Sequence, residues 1–216
     1  MMRPVVASLL SGKELYDVVI RERLVGARES VWIATANLKA TFVEQDGAFV
    51  PIVEVLAQLA ERGVHLRLLH ADLPSKVFRR ELDRRVALIA HGLELKVCPR
   101  VHFKCLVVDG AWAYVGSANL TGAGLGAKGV DKRNFELGFV TEDFDVIDRV
   151  NALFNSVWTG DECGPCKLRK ICPDPIGKPT APPRTRRAAS ASRSTTRKTR
   201  RSRAPIKHLR IRGRRP

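Results

Sequence analysis

Between residues 13 and 158 short apolar runs alternate with amphipathic stretches, and this alternation restricts the fold more than any other feature of the chain. A short apolar run bounded by turn residues reads as a buried strand, whereas apolar positions three and four apart read as one face of a helix. Residues 13–27 show the helical pattern, with Leu15, Val18, Val19, Ile20 and Leu24 recurring at that spacing. Val31-Trp32-Ile33-Ala34-Thr35-Ala36-Asn37 reads as a buried strand. A second helix is expected over 51–62, closed by Gly63, and a third over 75–90, closed by Gly92. Residues 65–69 and 93–97 read as strands. Residues 102–108 and 111–115 form a hairpin through Asp109-Gly110, a pair that accepts the positive φ angles of a tight hairpin turn. A strand over 135–140 and a helix over 143–158 close the series. Such alternation predicts an α/β fold with a mixed β-sheet flanked by helices.

The pattern stops at Gly160, and the composition changes with it. Of the 38 Lys and Arg in the chain, 15 fall in 176–216, which has no Asp or Glu; the preceding residues hold 23 basic side chains against 22 acidic ones. The net charge of +16 therefore belongs to a tail and not to the fold. A Pro-, Arg- and Ser-rich segment without aromatic residues cannot bury enough surface to offset its ordering entropy, so the tail is expected to be disordered unless bound. Three segments follow: a domain over 1–160, a cysteine-rich stretch over 161–175, and the basic tail over 176–216. No run approaches the roughly 20 apolar residues of a membrane span. The apolar stretch after Arg3 ends at Ser11-Gly12-Lys13, short for a signal-peptide core; it reads as a strand or helix lead-in, and the chain as cytoplasmic.

On a strand over 102–108, period-two geometry places His102 and Lys104 on one face and Phe103, Cys105 and Val107 on the opposite, core face. The next strand ends in Gly116-Ser117-Ala118-Asn119, and Asn134-Phe135-Glu136 opens another. Groups of the kinds that hold a phosphate thus collect at strand ends. The spacing His102-x-Lys104-x4-Asp109-x6-Gly116-Ser117-x-Asn119 resembles the signature of the phospholipase D superfamily, and Asn134-x-Glu136 resembles its downstream element. The resemblance runs in element order over residues 10–158. One copy of the motif is present, which is similar to the small endonucleases of the superfamily that pair as homodimers.

The resemblance implies a phosphodiesterase that needs no catalytic metal. Lys104, Asn119 and Ser117 hold the non-bridging oxygens, His102 is the nucleophile that forms a phosphohistidine, and Glu136 orients its second ring nitrogen. His102 of a second copy protonates the leaving oxygen and then activates water. Asn134 joins the set beside Glu136. Asp109 belongs to the motif, yet its place at a hairpin turn marks it as structural. Against this stand two plainer readings: that His102 and Lys104 merely decorate a sheet edge, and that the chain is a nucleic-acid-binding protein with a silent site.

Cys163-x2-Cys166-x5-Cys172 is a compact thiolate cluster, suited to a structural zinc or an iron–sulfur cluster, with Cys98 as fourth ligand and His208 as another candidate. Its spacing is similar to the iron–sulfur staple of some nucleases, without that staple's own fourth cysteine. The alternative is a reduced, solvent-facing loop. Cys105 reads as core. The basic tail suits sequence-independent contact with nucleic acid, DNA ahead of RNA; as a polybasic tether to anionic lipid it would instead accompany a phospholipase D or phosphatidyltransferase. Residues 32–38 and 114–120 also echo each other, Trp-Ile-Ala-Thr-Ala-Asn-Leu against Tyr-Val-Gly-Ser-Ala-Asn-Leu. Chance is the simpler account of so short a match, and a duplicated half-site strand is the other.

Overall fold

The computed structural model describes residues 3–176. In chain order the elements are β1 (Ser8–Ser11), α1 (Leu15–Leu24), β2 (Ser30–Thr35), β3 (Phe42–Gln45), β4 (Ala48–Pro51), α2 (Ile52–Glu61), β5 (His65–His70), α3 (Lys76–Asp83), α4 (Val86–His91), β6 (Leu93–Val97), β7 (Lys104–Val108), β8 (Trp112–Gly116), β9 (Leu137–Thr141) and α5 (Phe144–Thr159). Seven strands form one sheet in the order β1-β9-β8-β7-β2-β5-β6, and β3 with β4 make a separate hairpin. β2, β5 and β6 run parallel, the remaining pairs of the large sheet antiparallel, so the sheet is mixed as the alternation predicts.

Each element carries a local reason for its limits. Asp109 and Gly110 both have positive φ (52° and 61°), and the Ala111 N–H closes the turn on the Val108 carbonyl at 3.1 Å. The Asp143 carboxylate accepts from the Val146 N–H at 3.2 Å and caps α5, which ends at Gly160 in the left-handed region. α1 is wound one residue wider than an α-helix: the Val25 N–H reaches back five residues to the Ile20 carbonyl at 3.1 Å.

The sheet is covered on both faces. On one side Leu15, Ile20 and Leu24 of α1, Ile52 and Leu56 of α2, and Phe78 of α3 pack on Val31, Ile33, Leu68, Leu106, Val108 and Tyr114. On the other, Phe154 and Trp158 of α5 pack on Ala34, Leu69 and Cys105, while Ile147 meets Val107 and Ala113. Each large apolar side chain buried in this way contributes about 1.5–3 kcal/mol. Cys105 lies in this core as expected, and burial pushes its thiol up to about 12.

Three expectations need correction, and one element was not foreseen. The strand expected from residue 102 begins at Lys104, leaving His102 just outside it. All five residues of β7 are buried, so Leu106 and Val108 are as much core as Cys105 and Val107. The helix expected over 75–90 is two, broken where Arg85 leaves helical geometry at φ −116° and ψ 56°. The β3–β4 hairpin turns at Asp46-Gly47, with φ 50° and 77°, the same dipeptide device as at 109–110. The basic tail and His208 lie outside the described residues. Among the described residues, no helix is long and apolar enough to cross a membrane.

Candidate active site

One row of residues crosses the sheet at the end where β2, β5 and β8 finish. Thr35 pairs with His70, Ala34 with Cys105 (which sets Thr35 level with Lys104), Lys104 with Gly116, and Gly116 with Gly138. Three consecutive strands thus present His70, Thr35 and Lys104 side by side, and all three are buried. Lys104 is only 7% exposed. Its ammonium donates to the His102 carbonyl at 2.7 Å and lies 3.4 Å from His102 Nδ1. Among the described residues no carboxylate pairs with it. A buried cation without a counter-charge carries a large desolvation cost, and an anion arriving from solvent relieves it.

The groups expected to share that anion flank Lys104. Asn119 follows β8, and its Oδ1 accepts from Thr35 Oγ1 at 3.3 Å and from the Ala36 and Asn37 N–H groups, each at 3.1 Å. With the oxygen so engaged, the NH2 end is what Asn119 has to offer a phosphate. On the other side Ser117 donates its hydroxyl to Glu136 Oε2 in a short hydrogen bond, and the Leu137 N–H donates to Ser117 Oγ at 3.2 Å. Asn134 Nδ2 donates to Glu136 Oε1 at 3.0 Å. Both oxygens of Glu136 are therefore engaged within the chain, and among the described residues no hydrogen bond joins Glu136 to His102. His102 is exposed at the mouth of this row.

Two glycines make the arrangement fit. A Cβ on Gly116 would stand 2.7 Å from the Leu137 carbonyl oxygen and run into the Tyr114 hydroxyl, and a Cβ on Gly138 would strike the same ring. Tyr114 fills the space they leave, its hydroxyl accepting from the Ala118 N–H at 3.3 Å. Burial, with the charge of Glu136 adding to it, pushes its phenol up to about 12.

A family model described as "Cardiolipin synthase, PLD-like domain" matches residues 20–158, the span that holds every one of these groups. The chain belongs to the phospholipase D superfamily. Its class of chemistry is that of a phosphodiesterase. The fold is similar to that of Nuc from Salmonella typhimurium, a phospholipase D family member, with a TM-score of 0.51, 17% identity, and coverage of 71% of this chain and 95% of that one. It is also similar to NucT from Helicobacter pylori, with a TM-score of 0.50, 18% identity, and coverage of 71% and 95%. TrmBL2, an archaeal chromatin protein, gives 0.48 at 16% identity, and this chain spans about half of it, 51%. No curated protein sequence matches the chain.

Within this phospholipase D fold the remaining candidates fall into place. Asp109 stands at the far end of β7 from Lys104, where its carboxylate accepts from the N–H groups of Arg28 (3.1 Å), Glu29 (2.8 Å) and Ser30 (3.0 Å), fixing the start of β2. Its role is structural. The echo between residues 32–38 and 114–120 is also spatial: β2 and β8 flank β7 in the same direction, and Leu38 bridges to Leu120 in parallel. Thr35 and its neighbours, which hold Asn119, are the part of the site that motif reasoning left out. The echo, for which chance was the simpler account, is the one sequence signal that runs through them. Among the described residues, no three His, Cys, Asp or Glu side chains are set to hold a metal ion, so Cys98, Cys163, Cys166 and Cys172 do not stand as a finished centre.

Proposed function

We propose that the chain is an endonuclease that hydrolyses nucleic-acid phosphodiesters as a homodimer, through a phosphohistidine and without a catalytic metal. The observation that carries this reading is Lys104, a buried ammonium with no carboxylate partner among the described residues, flanked by the amide of Asn119 and the hydroxyl of Ser117. Such a row suits the non-bridging oxygens of a phosphodiester, whose charge must be countered before a nucleophile can approach. His102 then attacks phosphorus through Nε2, and the leaving oxygen takes a proton from His102 of a second copy. Water, deprotonated by that second imidazole, breaks the phosphorus–nitrogen bond and frees the first.

The need for a second copy has support from the chemistry of one protomer. An ammonium can only donate, so the Nδ1 that faces Lys104 acts as an acceptor and leaves the proton on Nε2. That tautomer has no lone pair on Nε2 with which to attack. A nucleophilic His102 needs Nδ1 turned to a carboxylate. An apolar strip beside the site suits the same partner: Leu9 faces Phe139, Phe139 faces Val115, all three are exposed, and exposed Leu137 and Phe135 continue the strip. The basic tail supports nucleic acid as substrate, since Lys and Arg in number add salt-dependent affinity for phosphates.

The test offers plasmid DNA, RNA and anionic phospholipid vesicles in parallel to the wild type and to His102→Ala, all with chelator. Cleavage of nucleic acid by the wild type alone, from a dimer in sedimentation, is the expected result. Turnover of phosphatidyl lipid with plasmid and RNA left intact would replace this reading with a phospholipase D or phosphatidyltransferase, in keeping with the cardiolipin synthase named in the matching family's description.

A further inference from the structure

Past Gly160 the chain folds back through a series of turns that runs to Ile176. The Cys163 N–H bonds the Gly160 carbonyl at 2.9 Å, the Arg169 N–H that of Cys166 at 3.1 Å, and the Ile171 N–H that of Leu168 at 3.0 Å. The Arg169 guanidinium ties the ends together through the carbonyls of Cys163 (3.1 Å) and Ile176 (2.7 Å). Yet no residue from Asp161 to Ile176 is buried, and Ile171 is 75% exposed. Fixing a backbone costs conformational entropy at every residue, and here only half-buried side chains such as Leu168 and Ile176 offset it.

What the turns bring together is sulfur. Cys163 and Cys166 line one cavity of about 300 Å³ with Cys98, which sits on its own turn, closed by the Val101 N–H on the Cys98 carbonyl at 2.9 Å. The Cys172 thiol reaches to 4.0 Å from the Val97 carbonyl, beside Cys98. Cys172, Cys163 and Cys166 all lie close enough to Cys98 to interact with it electrostatically. All four are free thiols, part-exposed and on turns, unlike Cys105 in the core. Arg100 lines the same cavity, and Lys167 and Lys170 lie in the segment, cations suited to the negative charge of a thiolate centre.

We infer that Cys98, Cys163, Cys166 and Cys172 close around a thiophilic metal, zinc or an iron–sulfur cluster, which staples residues 161–176 to the turn after β6. Four sulfurs from a close pair and two separate turns make a closed tetrahedral set, the form of structural and not catalytic centres. The side chains are not yet gathered, so ligation asks them to rotate inward from backbone positions that already converge. The metal then supplies the stability that the segment lacks in apolar burial.

The full chain, purified anaerobically, is analysed for zinc, iron and sulfide, and its absorption spectrum separates the two forms. About one zinc per chain, or iron with matching sulfide, is expected. Reduced protein titrated with Co2+ should develop thiolate-to-cobalt absorption that Cys98→Ser and Cys172→Ser each weaken. Those variants should lose the metal and expose Lys167, Arg169 and Lys170 to trypsin, while a dimer with His102 and Lys104 intact keeps its turnover. Wild-type chain that purifies without metal and gives no cobalt–thiolate band overturns the inference. So does Cys98→Ser with unchanged metal content, or a disulfide among the four in the native protein.

Discussion

Asn119 offers a way to separate holding the site from using it. Its Oδ1 takes hydrogen bonds from Thr35 Oγ1 and from the Ala36 and Asn37 N–H groups at 3.1–3.3 Å. Asn119→Ala deletes that acceptor and strands two backbone donors. An unsatisfied buried donor costs about 1–3 kcal/mol, and because water reaches part of this position the lower end applies to each, a loss of about 2 kcal/mol. For a chain of this size that corresponds to a fall of about 4–8 °C in Tm. Asn119→Asp is nearly isosteric and keeps an oxygen for all three donors, so its Tm should stay within about 2 °C of wild type. Its other atom changes from a donor to a carboxylate oxygen. Loss of one preorganised donor lowers kcat about 10²–10³-fold. A negative charge near 4 Å from a phosphate oxygen opposes binding by up to about 4 kcal/mol more. Thermal unfolding and initial rates on the substrate found active then give a clear pattern, with both variants slow and only the alanine variant unstable. An Asp variant as unstable as the Ala variant, or as active as wild type, refutes the assignment of the two ends of this amide.

Asp109→Ala should cost about 1.5–3 kcal/mol by freeing three backbone donors held by a charged acceptor, and leave the rate per folded molecule unchanged; denaturant unfolding beside a rate assay checks both. Gly116→Ala should destabilise by about 1–3 kcal/mol through overpacking against Tyr114, and Tyr114→Phe in the same chain should recover part of it by removing the hydroxyl that the new methyl meets. Burial lowers the pKa of His70, so as pH falls through 6.5 the unfolded chain gains a proton that the folded one refuses. Stability should therefore fall below that pH and be insensitive to this group above it, and His70→Asn should flatten the dependence in thermal melts at a series of pH values.

How much of this was legible in the sequence depends on whether the signal was local. β6 begins and ends where its apolar–charged alternation does, and α5 lies within a residue of its pattern because Asp143 and Gly160 mark both ends. The break between α3 and α4 has no Pro or Gly to announce it; it is made at Arg84 and Arg85, ordinary helix residues. β1 is an edge strand with one buried residue, Leu10, so its alternation is too short to tell from a lead-in. Asp46-Gly47 did carry a hairpin signal, but β4 runs straight into α2 and its last residue, Pro51, reads as the helix start. In the site, His102, Lys104, Ser117 and Asn119 are close in sequence and were readable as a motif. Thr35, which lies 84 residues from Asn119, becomes its partner only through strand order. The engagement of Glu136 with Ser117 and Asn134 in place of His102 is likewise a matter of geometry that spacing does not contain.

That Asn119 is gripped from β2 bears on how such a protein can diversify. The excursion over residues 121–136, from the end of this motif to Glu136, contains Lys128, Lys132 and Arg133, side chains suited to meeting whatever carries the phosphate. Because the amide takes its anchorage from residues 35–37, exchanges in the exposed part of that excursion, residues 127–132, leave the anchorage where it is. An exposed stretch that meets the substrate could thus change its side chains without moving the Asn119 amide, whose position is set from a neighbouring strand.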